Sequence, residues 1–174
     1  MRRLLRAFLG TRSDDWTALL LRIPLGLIFM AHGAQKVFGW FGGRGLKATA
    51  DGFQQMGIPR PWTYLDAFWE LLGGLAVFTG FFTRVASLGV ATIMGVAIAK
   101  VHARNGFFMN WGNEPGKGHG VEANLALGAM ALSLAAKGGG ALSVDGRLAP
   151  AEEEVLLEVI EVEETVPAEG RQAE

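Results

Sequence analysis

Hydrophobic residues are concentrated in four long stretches of the chain, and polar residues fill the segments between them. The stretches are Trp16–Phe38, Tyr64–Phe82, Val85–Val101 and Val121–Ala136. A membrane-spanning helix needs about 20 predominantly apolar residues. The first two stretches reach this length, and the last two are slightly shorter but similar in composition. The pattern predicts an all-α protein, namely an antiparallel four-helix bundle embedded in a membrane.

The segments that flank the stretches predict how the helices begin and pair. Asp14 and Asp15 come just before the first stretch, where carboxylates accept hydrogen bonds from the free N–H groups of a helix N-terminus. Gly80–Arg84 predicts a tight hairpin, and short connections of this kind favour antiparallel neighbours. Residues 42–62 predict a loop that contains a short amphipathic helix at Thr49–Met56.

Charged and titratable residues interrupt all four stretches or lie at their ends. They are Arg22, His32 and Lys36 in the first stretch, Glu70 in the second, Lys100 and His102 at the end of the third, and Glu122 at the start of the fourth. In an antiparallel four-span arrangement all of them except Arg22 fall in one half of the membrane, while Arg22 lies near the level of Arg84. Small residues on the same helical faces predict that these side chains point into the bundle. Charges inside a bilayer are costly, so this cluster is a candidate functional site.

Each of these residues also has a structural interpretation. Lys36 and Lys100 lie near helix ends, from which their ammonium groups could reach the headgroups. Glu122 suits the N-terminus of a helix. Arg22, Arg84, Glu122 and Lys36 are candidates for charge pairing or for ligand binding. Glu70 lies inside an apolar run, so it either pairs with Lys36 or an arginine in a structural network, or contributes to a ligand or redox site; both interpretations stay open.

The chemistry of the cluster is compatible with several cofactors. His32, His102, Glu70 and Glu122 are acceptable ligands for a transition metal, although no local HxxxH or ExxH pair is present. Two histidines on different helices would also suit haem. A quinone headgroup needs hydrogen-bonding groups beside an apolar channel, which Glu70, His32 and His102 could provide. The cofactor is therefore undetermined, with quinone, haem and a transition metal as the alternatives.

Composition excludes some classes of function. The 174 residues carry a net charge of −1, so no basic surface indicates a nucleic-acid partner. The chain has no cysteine, which excludes disulfides, thiolate metal sites and thiol catalysis by its own residues. Lys and Arg residues are more numerous on the side of the predicted bundle that holds both termini, which predicts a multi-pass protein of the cell inner membrane with cytoplasmic termini.

The two ends of the chain differ from the membrane domain, which we assign to residues 16–148. Residues 1–15 are basic, with Arg2, Arg3 and Arg6, and form either a segment on the membrane surface or a disordered leader. Residues 149–174 contain nine glutamates around a short apolar run. This acidic tail is either a solvated appendage or the docking segment for a soluble protein partner.

Four blocks of sequence resemble the DoxX family of small four-helix membrane proteins. They read LRIPLGLIFMAHGAQKVFGWFGG, WELLGGLAVFTGFFTR, AIAKVHARNGFF and VEANLALGAMALSLAAKGGGALSVDGRL. Matching positions include Arg22, His32, Gly33, Lys36, Glu70, Gly73, Gly74, Gly80, Arg84, His102, Gly106, Phe107, Glu122 and Asp145. The family resembles the quinone-reducing membrane subunit of an archaeal thiosulfate:quinone oxidoreductase. The resemblance also extends to proteins of thiol and superoxide stress that work with soluble partners, and to eukaryotic chaperones and cargo receptors.

Two hypotheses for function follow from the residues and from this resemblance. In the first, the protein is the membrane subunit of a redox system linked to quinone, with Glu70, His32 and His102 as catalytic residues and Lys36 stabilising an anion. In the second, it is a non-enzymatic membrane scaffold or assembly factor whose polar cluster fixes helix packing. Transport is less favoured because no stretch is broken in its middle and four helices would have to form a homo-oligomer to line a path.

Overall fold

The computed structural model of the protein describes residues 8–149. All regular structure in this part of the chain is helical, which confirms the predicted all-α class. The helices are α1 (Trp16–Phe38), α2 (Gly45–Gln55), α3 (Arg60–Phe68), α4 (Gly74–Thr79), α5 (Thr83–Ala97), α6 (Glu122–Lys137) and α7 (Val144–Leu148). The basic residues Arg2, Arg3 and Arg6 and all nine glutamates of the acidic tail lie outside the described residues, so their predicted roles stay predictions.

Between residues 8 and 149, two segments are long and apolar enough to cross a membrane. They are Trp16–Phe38 and Thr83–Asn105, and both match stretches predicted to span. The second of these continues α5 through a π-helical turn, Ile98–His102, and a 3₁₀ turn, Ala103–Asn105. The other two predicted spans are the interrupted helix from Arg60 to Thr79 and the shorter α6. The prediction of four spans therefore goes beyond what these two helices establish.

Helix α1 begins where its sequence predicts. The Asp15 side chain accepts a hydrogen bond from the Ala18 N–H at 3.1 Å and caps the helix. This hydrogen bond also lowers the pKa of the Asp15 carboxyl. The helix ends at Gly39, whose φ of 75° is readily adopted only by glycine. The predicted helix start is confirmed, with Asp15 as the capping residue.

Glycines bring α1 into close contact with the segment from Trp69 to Thr79. A Cβ added to Gly26 would lie 2.7 Å from the backbone N of Phe78, and one added to Gly33 would overlap the backbone of Leu71. Across the interface, a Cβ on Gly74 would lie 2.7 Å from the Met30 N. Small residues of this kind let membrane helices approach closely. The close approach fixes the register between α1 and the acidic residues on the facing helix.

The hydrophobic core is shared by α1, α4, α5 and α6. Its fully buried members include Leu25 and Phe29 of α1, Val77 of α4, Val90 of α5 and Leu134 of α6. Helices α5 and α6 form the most extensive contact in the described chain. Large apolar side chains on the opposite faces are exposed, among them Leu20, Leu72, Leu88 and Leu132. An exposed apolar surface of this extent is typical of helices that face lipid.

The structure refines the segment between α1 and α3. Residues 42–62 were predicted to form a loop with a short helix at Thr49–Met56, whereas α2 extends from Gly45 to Gln55. The helix therefore begins four residues earlier than predicted. Its first residue, Gly45, has a φ of 76°, which lies in the left-handed region that glycine adopts readily. Helix α2 packs on both α1 and α3 and so covers one end of the bundle.

Candidate functional site

Lys36 forms ion pairs with two carboxylates on the facing helix. Its Nζ lies 2.5 Å from Oδ2 of Asp66 and 2.8 Å from Oε2 of Glu70. The two acidic residues are four positions apart, so they project from the same helical face. The Lys36 ammonium also lies 5.2 Å from the centre of the Phe53 ring of α2. This acidic pair with its single cation carries a formal charge of −1.

Glu70 is the most deeply buried member of this cluster, with 4% of its surface exposed. Its Oε2 lies 2.8 Å from the Lys36 ammonium and has no further hydrogen-bond partner among the described residues. A buried carboxylate oxygen in this state keeps unused capacity to accept a hydrogen bond. Glu70 is also the second residue of the π-helical turn Trp69–Gly73, and turns of this type are frequent at functional sites.

The cluster opens onto a cavity of about 480 Å³. Lys36, Asp66 and Glu70 line one side of it, and His32 lies beside them, one turn before Lys36 on α1. Much of the remaining wall is apolar and includes Ile28, Phe29, Ile93, Met94, Ala97 and Leu127. The volume is within the range that is typical of small-molecule sites, and so is the combination of apolar walls with a few polar groups.

Another part of the cavity wall is formed by the π-helical turn Ile98–His102 and by the long loop that follows it, residues 106–121. His102 Nδ1 lies 2.8 Å from the carbonyl oxygen of His119. Because a carbonyl only accepts hydrogen bonds, this nitrogen carries the proton, and the Nε2 of neutral His102 is left as an acceptor. Asn110 N–H donates to His119 Nδ1 at 3.2 Å, which fixes the His119 ring in turn. Both imidazoles line the cavity.

Asn124 of α6 adds an amide to the cavity wall. It is 8% exposed, and its Nδ2 has a thioether, the Sδ of Met94 at 3.5 Å, as its hydrogen-bond partner. Thioether sulfur is a weak acceptor. The amide N–H is therefore available to a better acceptor, such as a carbonyl oxygen of a bound molecule.

Three of the other predicted site residues lie away from the cavity wall and bind backbone groups. Arg22 donates to the carbonyls of Phe78 and Ala141 at 3.2 and 2.8 Å, and its position on α1 is about 21 Å from that of Lys36. Arg84 donates to carbonyls at the C-terminal end of α6 and to Gly10. Glu122 accepts from the Met109 N–H at 2.9 Å and anchors the long loop.

The arrangement thus brings together four of the seven predicted site residues. His32, Lys36, Glu70 and His102 share the cavity, whereas Arg22 and Arg84 do not form ion pairs with any described residue and instead hold helix ends together. Asp66, His119 and Asn124 belong to the site but were missed by the sequence analysis. The four-residue spacing from Asp66 to Glu70 could have indicated Asp66, but nothing local in the sequence indicates the two others.

Within residues 8–149, no three histidine or acidic side chains are arranged closely enough to hold a metal ion. Of the ligands that the sequence offers, His32, His102 and Glu70 are dispersed around the cavity wall and Glu122 lies away from it. The site is therefore a largely apolar chamber whose wall carries the Lys36–Asp66–Glu70 cluster and the imidazoles of His32, His102 and His119.

Comparison with known proteins identifies the family. The sequence profile of DoxX matches residues 17–103, which is half of the chain and includes the first three predicted helices with Lys36, Glu70 and His102. The chain belongs to the DoxX family. This DoxX protein is also 33% identical over 99 residues to a Bacillus subtilis (strain 168) protein named "Putative oxidoreductase CatD", in a match that covers 57% of this chain and 69% of the relative. No solved structure is significantly similar to it.

Family membership establishes the general setting of the site. DoxX proteins are membrane-associated, and the two long apolar helices of this DoxX protein agree with that setting. The matched region carries the whole Lys36–Asp66–Glu70 cluster, so the cluster belongs to the part of the chain that defines the family.

Proposed function

We propose that this DoxX protein is the membrane subunit of a redox system and that its cavity binds the headgroup of a quinone. The observation that supports this most strongly is the buried cluster in which Glu70 and Asp66 share the single ammonium of Lys36 in the wall of an apolar cavity. Two carboxylates with one cation leave a buried negative charge that is only partly compensated, and ionisable groups of this kind inside a membrane typically mark a functional site. A quinol hydroxyl is a donor that suits a carboxylate oxygen of this cluster.

The cavity offers partners for both redox forms of such a headgroup. A quinone has two carbonyl oxygens that only accept, and the Asn124 amide and the Lys36 ammonium are donors on the cavity wall. A quinol has two hydroxyls that donate, and Glu70 and the Nε2 of His102 can accept from them. The apolar walls provide the surface on which a flat ring packs.

Reduction of quinone to quinol takes up two electrons and two protons. In this proposal the electrons come from a separate redox protein. The chain has no cysteine, and none of its described side chains serves as the electron donor to the quinone. The Lys36–Asp66–Glu70 cluster, with two carboxylates for one ammonium, can hold a proton and pass it to the quinone oxygen. His102 is the second candidate for proton transfer because its imidazole lines the cavity and its Nε2 can accept a proton and pass it on.

The membrane arrangement that we propose has four spans, formed by α1, the helix from Arg60 to Thr79, Thr83–Asn105 and α6. The bundle is antiparallel and its termini are cytoplasmic, as the distribution of Lys and Arg predicts. In this orientation the cavity lies in the outer half of the membrane. We further propose that the acidic tail, residues 149–174, docks a soluble protein partner from the cytoplasmic side.

Binding of a quinone analogue tests the proposal. The full-length protein in lipid nanodiscs should bind a decyl-benzoquinone or a decyl-naphthoquinone, and Glu70→Gln should weaken the binding of the corresponding quinol about tenfold or more. Such a loss equals about 1.4 kcal/mol, which is in the range of one hydrogen bond to a charged group. The exposed loop residue Glu114 offers a matched control, since Glu114→Gln makes the same change outside the cavity.

Equal quinol affinity in the wild type and Glu70→Gln would contradict the assignment of Glu70. Absence of binding to either quinone would contradict the quinone site itself and would leave the scaffold hypothesis as the better account. A scaffold whose polar cluster is structural is expected to retain its partner binding in Glu70→Gln, because the amide preserves the shape of the side chain.

A further inference from the structure

A second apolar depression lies directly beside the proposed headgroup cavity. It has a volume of about 520 Å³ and is bounded by Trp62, Leu65 and Trp69 on one side and by Thr92, Ile93 and Val96 of α5 on the other. Its floor at one end comes from the connection that follows α2, including Ile58 and Pro59. We call this depression the side groove.

The side groove and the cavity share a wall. Phe53, Ile58, Asp66, Ile93, Val96 and Lys100 line both. Asp66 is one of the two carboxylates bound to Lys36, so the groove begins at the charged cluster. From Lys100 to Thr92 the groove follows α5 over about 12 Å of helix axis.

The polar groups of the side groove are confined to the end that meets the cavity. Asp66 and Lys100 are its only charged lining residues among those the structure describes. At the far end, the Thr92 hydroxyl donates to the Leu88 carbonyl at 2.9 Å, and the Trp69 indole N–H donates to the Ala86 carbonyl at 3.3 Å. Both groups are thereby satisfied within the protein, so the far part of the groove presents an apolar surface to any occupant.

The outer rim of the groove is open and apolar. Trp62 and Leu65 are 64% and 51% exposed, and Val96 is 49% exposed. In the proposed membrane arrangement this rim faces the hydrocarbon region of the bilayer. A molecule with a polar head and a long apolar tail could therefore reach the cavity sideways from the membrane, without its tail entering water.

We propose that the side groove binds the isoprenoid tail of the quinone whose headgroup occupies the cavity. This inference rests on the proposed function and adds that the substrate is a tailed, lipid-soluble quinone rather than a small water-soluble one. The shared wall supports this occupant, because a headgroup that lies beside Asp66 and Glu70 places its ring substituent at the mouth of the groove. The tail moves into the groove from lipid hydrocarbon rather than from water, so its contribution to affinity comes from close packing against the groove walls.

The test measures how much the tail contributes to binding. Matched benzoquinones with and without a decyl tail are titrated into the full-length protein in nanodiscs, and the ratio of the two affinities is determined. Thr92→Trp places an indole in the groove at a residue that does not line the cavity, and it should reduce this ratio about tenfold. Affinity for the tail-less quinone should be unchanged.

Two further variants make the result specific. Leu65→Trp obstructs the groove from the opposite wall and should give the same reduction. Leu132→Trp places an indole on the exposed face of α6, away from the groove, and should leave the ratio at the wild-type value. This variant controls for the effect of an added indole, while partitioning of the tail into lipid is the same for all variants in the same nanodiscs. Melting temperatures of all three variants check that each is folded.

The outcomes separate this inference from the proposed function. If both quinones bind and their ratio is the same in the wild type, Thr92→Trp and Leu65→Trp, the quinone site stands and the groove does not hold the tail. A lipid acyl chain as the occupant would give that result. If neither quinone binds to the wild type, the proposed function fails and this inference fails with it.

Discussion

Replacing Lys36 by methionine is expected to destabilise the protein by about 3 kcal/mol and to abolish quinone binding. The substitution leaves the Asp66 and Glu70 carboxylates beside each other without the ammonium that lies 2.5 and 2.8 Å from them. Removal of one partner from a buried ion pair typically costs about 3–5 kcal/mol, and the 19% exposure of Lys36 and Asp66 favours the lower end of this range. Chemical or thermal unfolding of the detergent-solubilised protein measures the effect.

A double-mutant cycle shows whether the loss arises from the unpaired charges. Lys36→Met combined with Glu70→Gln removes one cation and one carboxylate, so the double variant should be more stable than the sum of the single effects predicts. Additive effects would mean that the two side chains do not interact in the folded protein. Such a result would contradict the charged cluster on which the site is built.

Replacing Asp145 by alanine is expected to cost about 3 kcal/mol without changing quinone binding. The Asp145 carboxylate is 1% exposed and accepts hydrogen bonds from the Phe82 N–H, the Thr83 N–H and the Thr83 hydroxyl at 2.6–2.8 Å. It therefore caps α5 and ties α7 to the turn before it. Each buried donor left without a partner costs about 1–3 kcal/mol, although water that enters the new space offsets part of this.

Asp145→Asn is the matched variant for this prediction. Its amide oxygen can still accept from the backbone of α5, so the loss of stability should be smaller than in Asp145→Ala. Thermal unfolding and quinone titration are measured on the same samples. A loss of binding in Asp145→Asn at unchanged stability would contradict the separation between this capping cluster and the cavity.

The helices of this protein could be predicted from sequence because their signals are local. Asp15 before the run from Trp16, and the glycine at position 39 after it, define α1 by rules that need no tertiary information. The tight connection around Gly80 can also be predicted from the local sequence. The need for glycine there is not local, because a side chain at position 80 would overlap the guanidinium of Arg22 on α1. Local rules predicted the bounds of α2 less well, because this helix packs on two others, α1 and α3.

The site could be predicted only in part, for a physical reason. Buried charges in apolar helices are conspicuous, so Lys36, Glu70, His32 and His102 were found. Asp66 lies nearer the end of its stretch, where a carboxylate is inexpensive and gives no signal. His119 and Asn124 join the site through the fold of the long loop and the register of α6, and neither can be read from spacing in the sequence.

The same reasoning explains why two of the predicted arginines have a different use. Arg22 and Arg84 were predicted to pair with acidic residues or to bind a ligand because a buried guanidinium needs compensation. The structure provides that compensation with backbone carbonyls at the C-terminal ends of helices, namely Phe78 for Arg22 and Ala135 for Arg84. Carbonyls at helix C-termini are free acceptors in every sequence, so composition cannot distinguish this use from an ion pair.

Photoaffinity labelling with a quinone analogue tests the central claim most directly. The full-length protein in native-like membranes is irradiated with a quinone that carries a photoreactive group on its ring, and the labelled peptides are identified by mass spectrometry. The account predicts labels on the peptides around His32–Lys36, Asp66–Glu70 and the Ile93–His102 segment, suppressed by excess unlabelled quinone and lost in Lys36→Met. Labels confined to the exposed apolar faces, or unaffected by competition, would contradict it.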